Sequence, residues 1–187
     1  MELPTTEQLQ TELKRERHKR EYRHTLRSTL YILLGVAAAA VLIATLAFPV
    51  LQVTGTSMEP TMMNGEIVVA VKNHQFETGN MVAFYYNNKI LLKRVIARAG
   101  DIVNIDEAGN VTVNDLPLDE PYLAEKSKGN CDITLPYQVP DGKIFVMGDH
   151  RATSVDSRST TIGCIADELI VGKVVLRVWP FNRAGML

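Results

Sequence analysis

The hydrophobic pattern divides the chain into one long apolar run and a larger region of short apolar runs. Residues 30–53 read LYILLGVAAAAVLIATLAFPVLQV, and no Asp, Glu, Lys or Arg occurs from Ser28 to Met58. As a helix rising 1.5 Å per residue, this run is long enough to cross a hydrocarbon core about 30 Å thick. A lone span must satisfy its own backbone hydrogen bonds, so the pattern predicts one transmembrane helix over residues 29–53.

Beyond Thr54 the apolar residues occur in short runs rich in Val, Ile, Tyr and Phe, which is typical of β-strands. The predicted strands are Ile67–Val71, Met81–Tyr86, Ile90–Ile96, Ile102–Ile105, Val111–Val113, Ile144–Met147 and Val174–Trp179. Tight turns are expected at residues 86–89 and 107–110. Residues 117–140, with four prolines, predict a long excursion. The fold class is therefore mainly β, with a single N-terminal transmembrane helix followed by an all-β barrel or sandwich.

The charges assign a side of the membrane to each region. From Lys14 to Arg27 there are seven Lys or Arg residues against two Glu, and such a cluster marks the cytoplasmic side. We therefore expect a cytosolic charged helical segment at 1–28, an anchor helix at 29–53 and an extracytoplasmic domain at 54–187. A cleavable signal peptide is the alternative, but the apolar run exceeds the usual length of about 7 to 15 residues.

The composition of the outer domain excludes some classes of partner. After Thr54 the chain carries 13 basic and 16 acidic residues, which is not a nucleic-acid-binding balance. No Cys-His cluster has metal-ligand spacing, and we expect no metal or cofactor. Cys131 and Cys164 can form a disulfide outside the cytosol or remain two separate thiols. Trp179 and Phe181 are expected to fill the core rather than to enter the bilayer.

Ser57, in the segment TGTSMEPTM of residues 54–62, is a candidate nucleophile directly after the apolar run. A serine hydroxyl is a weak nucleophile and needs a neighbouring base. The histidines are His18, His24, His74 and His150. The first two are cytosolic in the predicted topology and the third lies in a polar turn, so a Ser57–His150–Asp triad is the histidine-based option.

Lys93 is the stronger candidate for the base. It lies in ILLKRVIA, where strand alternation puts Lys93 on one face with Leu91, Val95 and Ala97. Burial on such a face disfavours the ammonium and lowers a lysine pKa from about 10.4 toward 7 or 8, which suits a general base. The alternative is a register shifted by one residue, in which Lys93 points outward beside Arg94.

A third cluster, MGDHRATSVDSR at residues 147–158, is dense in hydroxyls, Asp and Arg. Its position after a predicted strand suits a self-bonded loop that holds Arg158 against Asp156. The same loop can orient a catalytic base.

Taken together, these segments resemble bacterial type I signal peptidase, a membrane-bound Ser-Lys endopeptidase, in its compact single-span Gram-positive-like form. SMEPTM resembles the nucleophile box of that family and KRVIARAGD its general-base box. FVMGDHRATSVDSR resembles the Gly-Asp box, and GKVVLRVWPF the closing segment. The resemblance covers the span and nearly all of the outer domain, in the same order, and implies an all-β barrel.

The resemblance also implies site residues by position. Ser57 matches the nucleophile, whose backbone N–H serves the oxyanion hole, and Lys93 matches the general base. The supporting residues are Ser154, which helps to orient the lysine, the pair Asp156 and Arg158, and the turn residues Gly148 and Asp149. His150 departs from the family, which usually has Asn there, and Gly55 stands where some members carry a serine that donates to the oxyanion.

The function implied by the resemblance is endoproteolytic removal of N-terminal signal peptides from exported preproteins at the outer membrane surface. Small residues are expected at the first and third positions before the cut. The implied partners are preprotein signal peptides, the lipid bilayer and the protein-export machinery, without nucleic acid or cofactor. The implied location is the cell membrane, single-pass, with a cytoplasmic N-terminus.

Two other functions stay open at the level of sequence. One is a Ser-Lys self-cleaving regulator, which the membrane anchor disfavours. The other is a non-catalytic or specialised signal-peptidase-like assembly factor for surface structures, in which Ser57 or Lys93 is expected to be replaced. Both residues are present, and binding without turnover would identify the assembly factor.

Overall fold

A computed structural model describes residues 6–72 and 75–187, so His74 lies outside the described residues. The chain divides into two compact units, one ending at Leu46 and the other beginning at Ala47. The first contains a single α-helix, α1, and the second contains twelve β-strands and two short 3-10 helices among the described residues.

Helix α1 spans Thr6–Ala47 and includes both the basic segment and most of the apolar run. The apolar side chains from Leu30 to Leu46 are exposed on all sides of this unit, as in a helix that has lipid for its surroundings. By length and composition, the part from Leu13 to Ala47 can cross a membrane. The predicted apolar helix therefore forms, although it ends before residue 53.

The helical prediction is wrong beyond Ala47, where the chain turns into the second unit. Pro49 has no N–H to donate and disfavours a helical conformation of the preceding Phe48, so α1 stops there. The next residues, Val50–Gln52, form a strand that pairs with residues 67–69.

The strands of the second unit are numbered in chain order. They are β1 Val50–Gln52, β2 Ile67–Val71, β3 Met81–Tyr86, β4 Lys89–Ala97, β5 Ile102–Ile105, β6 Val111–Val113, β7 Leu116–Pro117, β8 Tyr137–Gln138, β9 Lys143–Met147, β10 Ile165–Ala166, β11 Ile170–Trp179 and β12 Gly185–Met186. The 3-10 helices are Asp167–Leu169 and Phe181–Arg183. All seven predicted strands are confirmed, and the β3–β4 turn has the expected left-handed residues, Asn87 and Asn88 (φ 43° and 60°).

The strands form two antiparallel sheets. The larger has the order β1-β2-β11-β3-β4-β9-β10, with β12 added to β11, and the smaller has the order β7-β6-β5-β8. The mainly β fold class with one N-terminal apolar helix is confirmed. The predicted barrel is not closed, because β1 pairs only with β2 and no described strand joins it to the far end of the sheet.

The core consists of three apolar clusters, and the two aromatic residues expected in it lie outside. Trp179 is 47% exposed and Phe181 is 79% exposed. Register shifts between Val174 and Leu176, and between Arg177 and Trp179, interrupt the alternation of β11. Trp179 therefore lies on the exposed side, where its ring contacts that of Phe181 edge-on at 4.9 Å between centroids.

Candidate active site

Ser57 is held at the surface of the larger sheet by two buried methionines that follow it. Met58 and Met62 pack against Val68 and Met81 in one of the core clusters. The Met62 N–H donates to the Met58 carbonyl at 2.9 Å, a single helical turn that puts both side chains on one side. Ser57 precedes this turn and is only partly buried. The SMEPTM segment thus uses its apolar residues to hold its serine in place.

Lys93 lies against that serine. Its Nζ is 2.6 Å from Ser57 Oγ, and the residue is 3% exposed. Burial lowers the pKa of Lys93 to about 8, while Asp156 and Asp149 raise it and Arg158 lowers it. The alternative register with Lys93 outward is wrong, because Lys93 and Arg94 are both buried in β4. A lysine with this pKa is partly neutral near pH 7 and can accept the serine proton.

The loop from Gly148 to Arg158 begins where β9 ends at Met147, and it contains the predicted ion pair. Arg158 donates to both Asp156 carboxylate oxygens, Nε to Oδ1 and Nη2 to Oδ2, at 2.8 Å each. Asp156 Oδ2 also accepts the Gly148 N–H at 2.9 Å. Burial raises the pKa of Asp156, but Arg158 and the Gly148 N–H together hold it below its usual value. The loop therefore bonds to itself as the sequence predicted.

Gly148 and its neighbour His150 brace the backbone of Ser57. A β-carbon at Gly148 would overlap both the Ser57 carbonyl oxygen and the Ser154 hydroxyl, so only glycine fits this contact. The His150 N–H donates to the same Ser57 carbonyl at 3.1 Å. The loop after β9 thus fixes the backbone of Ser57 through main-chain contacts.

Ser154 is buried beside these groups, but its hydroxyl is not bonded to Lys93. It lies close enough to Asp156 to help lower the pKa of that carboxyl, without the geometry of a full hydrogen bond. Among the described residues, the side-chain acceptor for the Lys93 ammonium is the Ser57 hydroxyl. The structure therefore brings Ser154 to the site without the lysine contact that the resemblance implies.

Other sequence candidates do not form a site in the described part of the chain. No hydrogen bond joins the His150 imidazole to Ser57, and its Nδ1 is buried without a partner, so a histidine triad is not assembled. Cys131 and Cys164 are free thiols. Within residues 6–72 and 75–187, no group of three or more His, Cys, Asp or Glu side chains could hold a metal ion.

An open cleft adjoins Ser57 and Lys93 on the side of β1. It has a volume of about 330 Å³ and is lined by residues 50–55 on one side and residues 90–93 on the other. In the described residues, β1 pairs only with β2, and β4 pairs only with β3 over residues 89–93. Two unpaired strand edges therefore face one cleft. We call this cleft the seam, because it is where the sheet fails to close.

The backbone N–H groups near Ser57 differ in whether they already have a hydrogen-bond acceptor. The Gly55 N–H donates to Asn64 Oδ1 at 2.9 Å. Among the described residues the Ser57 N–H has no such partner. The Ser57 N–H is therefore the donor that stays available for an oxyanion, in line with the glycine at position 55.

The sequence reasoning missed several buried or partly buried polar residues that lie near Ser57 and Lys93. They are Thr61, Glu66, Arg94, Glu120, Tyr122, Arg151 and Arg177. Arg94 carries the one usable signal, since a charge inside the apolar run ILLKRVIA must be paired when that run is a core strand. Arg177 lies in β11, where register shifts interrupt the alternation. The others lie in irregular segments, where no periodicity indicates burial.

Comparison with known proteins gives the same assignment for most of the chain. The family model "Signal peptidase, peptidase S26" matches residues 26–179. The chain belongs to this signal peptidase family. It is 39% identical to signal peptidase IB of Staphylococcus aureus (strain COL) over 151 residues, which cover 70% of this chain and 78% of the relative. It is 34% identical to signal peptidase I of Bacillus licheniformis over 165 residues, 81% of this chain and 87% of the relative.

A solved structure of a signal peptidase I from Enterococcus faecalis is similar over 53% of this chain and 96% of that chain, with a TM-score of 0.46 and 25% identity. The family match and the curated relatives confirm the predicted function of type I signal peptidase. The chain is accordingly a membrane-associated peptidase that acts on signal peptides.

Proposed function

We propose that the chain cleaves signal peptides from exported preproteins with a Ser57–Lys93 dyad. The observation that carries this proposal is the 2.6 Å contact between Lys93 Nζ and Ser57 Oγ, made by a lysine that is buried. A buried lysine next to a hydroxyl is a nucleophile–base pair of the kind that acyl transfer needs.

The reaction follows from the pKa of the lysine. With the pKa of Lys93 at about 8, roughly a tenth of the side chain is neutral at pH 7. Neutral Lys93 takes the Ser57 proton as Oγ attacks the scissile carbonyl, and an acyl-enzyme forms. Protonated Lys93 then donates to the leaving amine and becomes neutral again. In the second step it takes a proton from the water that attacks the ester and passes that proton to Ser57 Oγ as the C–Oγ bond breaks. Each proton taken by the lysine is returned within the cycle.

The developing oxyanion is stabilised by the backbone N–H of Ser57. In this proposal Gly148 and His150 keep that N–H in position by bracing the Ser57 carbonyl. Asp156 and Arg158 hold the Gly148 N–H, and the buried Ser154 fills the space next to it. Asp149 acts through its ion pair with Arg94, the neighbour of the base.

The substrate enters as an extended segment at the seam. A preprotein chain can form main-chain hydrogen bonds with the free edges of β1 and β4, which gives affinity with little demand on sequence. Side chains that alternate along the bound strand then point toward the cleft at every second residue. Small residues at the first and third positions before the cut suit that spacing.

The proposed topology has residues 1–28 in the cytosol, residues 29–47 of α1 as the anchor helix, and the rest of the chain, beginning with the segment that leads into β1, outside. The basic cluster before the apolar run is the feature that supports this orientation. Ser57 lies ten residues beyond the end of α1, so cleavage is proposed close to the outer membrane surface. The exposed Trp179 and Phe181 are suited to contact with lipid headgroups, and the export machinery is the proposed source of substrate.

The test compares the full chain in detergent with Ser57→Ala, Lys93→Ala and Lys143→Ala on a preprotein that bears an Ala-x-Ala site. Lys143 is the matched control, because it is an exposed lysine of the same sheet, at the start of β9, and does not line the seam. We expect the parent and Lys143→Ala to cut after the second Ala, identified by mass, and the other two variants to be inactive while folded. Activity of Lys93→Ala would reject the dyad, and binding of preprotein by the parent without cleavage would reject the peptidase.

A further inference from the structure

Two residues of the excursion at residues 117–140 contact arginines that lie next to the proposed site, although no motif covers that segment. Glu120 and Tyr122 lie between β7 and β8, in a stretch without regular structure. Glu120 is buried, and Tyr122 is partly buried. Their contacts lead, step by step, to the residues on either side of Lys93 and Ser57.

The first step joins Tyr122 to the strand of the base. The guanidinium carbon of Arg94 lies 3.9 Å from the centroid of the Tyr122 ring, a cation–π contact. Arg94 directly follows Lys93 on β4. The ring therefore covers one face of the charge next to the base and keeps water from it.

The second step joins Arg94 to the two loops of the site. Its Nε and Nη2 donate to the two carboxylate oxygens of Asp149 at 2.9 and 2.6 Å. Asp149 Oδ2 also accepts the Thr61 hydroxyl at 2.5 Å. A bidentate pair of this kind fixes orientation as well as distance. Arg94 thus ties β4 both to the segment that follows Ser57 and to the loop that follows β9.

The third step closes the network through Glu120. Its Oε1 accepts the Tyr122 phenol at 3.1 Å and also pairs with Arg151 Nη2. Arg151 Nε in turn donates to the Gly148 carbonyl at 3.1 Å. The Glu120 and Arg151 side chains are 0% and 1% exposed, and charges this far from water hold their places only as a pair.

We propose that Glu120 and Tyr122 are positioning residues for the Ser57–Lys93 dyad, acting through Arg94 and Asp149. The network ends on Gly148 and Asp149, and Gly148 is the residue that braces the Ser57 carbonyl. A shift of the Arg94–Asp149 pair therefore displaces both the base and the nucleophile. This inference rests on the dyad proposed above.

A positioning role and a purely structural one differ in what they do to the pH profile. The charges that face Lys93 are Asp149, Asp156 and Arg158, with Arg94 beside it on the strand. We expect loss of the Tyr122 ring to let the Arg94–Asp149 pair shift and to move Lys93, the preceding residue of β4, toward water, which weakens the desolvation of its ammonium. The pKa of Lys93 then rises from about 8 toward its usual value, so the acid limb of kcat/KM moves to higher pH.

The experiment measures pH profiles of preprotein cleavage by the full chain in detergent for the parent, Tyr122→Leu, Tyr122→Phe and Glu120→Gln. For Tyr122→Leu we expect the acid limb to move up by about one pH unit and kcat at pH 7 to fall about tenfold, with KM nearly unchanged. Tyr122→Phe keeps the ring over Arg94 and is expected to stay near the parental limb. Glu120→Gln keeps the size of the side chain but loses the charge that pairs with Arg151. Its acid limb is therefore also expected to move to higher pH.

The matched control is Tyr137→Leu, the same change at a partly buried tyrosine that packs on Phe145 away from the dyad. It is expected to lower the Tm and leave the acid limb in place. If Tyr122→Leu folds and keeps the acid limb and the kcat of the parent, the proposal is overturned. If Tyr122→Leu does not fold, an acid limb and a kcat equal to those of the parent in Glu120→Gln would overturn it instead. Activity of Lys93→Ala, in contrast, would overturn the dyad itself, so the two failures are distinguishable.

Discussion

Strand β4 passes through two regions of opposite character. The charged region surrounds its middle and consists of Lys93, Arg94, Asp149, Asp156 and Arg158, all buried. The apolar region surrounds its end, where Ile96 and Ala97 meet the smaller sheet in a cluster without a charge. Burial of apolar surface stabilises the fold, whereas each buried charge costs free energy until it is paired. The comparison indicates that one strand supplies stability at its end and, in the proposed function, the catalytic base at its middle.

The largest effect is expected where the charged region is made apolar. Lys93→Met removes the base and should lower kcat/KM by about 10³-fold or more. It should also stabilise the fold by about 3 kcal/mol at pH 7, because the folded parent holds a lysine whose pKa is about 8 instead of 10.5. That cost is complete below pH 8 and disappears as the pH rises toward 10.5, since the unfolded chain binds the extra proton only in this window.

Thermal unfolding of the full chain in detergent, followed by circular dichroism from pH 6 to above 10, measures the second part of this prediction. The Tm of Lys93→Met should exceed that of the parent at neutral pH and converge with it at alkaline pH. An equal Tm throughout would mean that the Lys93 charge carries no desolvation cost.

The second effect concerns space rather than charge. In Gly148→Ala the new methyl group would overlap the Ser57 carbonyl and the Ser154 hydroxyl, so the nucleophile must move. A displacement near 1 Å costs about 10²-fold in rate, and we expect that loss in kcat. Gly185→Ala is the control, because nothing lies within 4 Å of its β-carbon. Similar rates for the two variants would show that Gly148 does not fix Ser57.

The third effect is confined to the apolar region. Phe145 is fully buried against the smaller sheet, and Phe145→Ala should lower the free energy of unfolding by about 3 to 5 kcal/mol. Denaturant titration measures this loss. The acid limb of activity, measured at a temperature where the variant is folded, should stay in place, and a shift would mean that the two regions are coupled.

The smallest effect is expected from the same change at an exposed phenylalanine. Phe181 is 79% exposed, so Phe181→Ala should change the free energy of unfolding by no more than about 0.5 kcal/mol. The paired measurement with Phe145→Ala tests the corrected location of Phe181. A loss of several kcal/mol would return Phe181 to the core, where the sequence analysis expected it.

The sequence predicted the features that follow from local pattern. The alternation of apolar residues gave every long strand, the Asn87-Asn88 pair gave the β3–β4 turn, and the apolar surroundings of Lys93 indicated its burial. It could not give the end of α1, because residues 50–53 are as apolar in a strand as in a membrane helix. Nor could it place Trp179, whose exposure depends on register shifts in β11.

The residues behind the dyad show why the rest of the site was missed. Glu120 and Tyr122 come near Arg94 only because the excursion folds back onto the loop after β9. Their partners are about 30 residues away along the chain, and no local periodicity encodes that distance. The resemblance to a family supplied the dyad and the Gly148–Arg158 loop, but not the contacts that hold them.

The seam has a consequence for self-association of the protein at high concentration. A strand edge with unpaired N–H and C=O groups can pair with any extended chain, including another copy of itself, and such edges promote aggregation. Here the edge of β1 is only three residues long, and the edge of β4 begins at the exposed Lys89 after two asparagines. Short length and charge discourage lasting association. The edges of the seam are therefore open enough to pair with a preprotein segment, as proposed above, and too short to hold another chain for long.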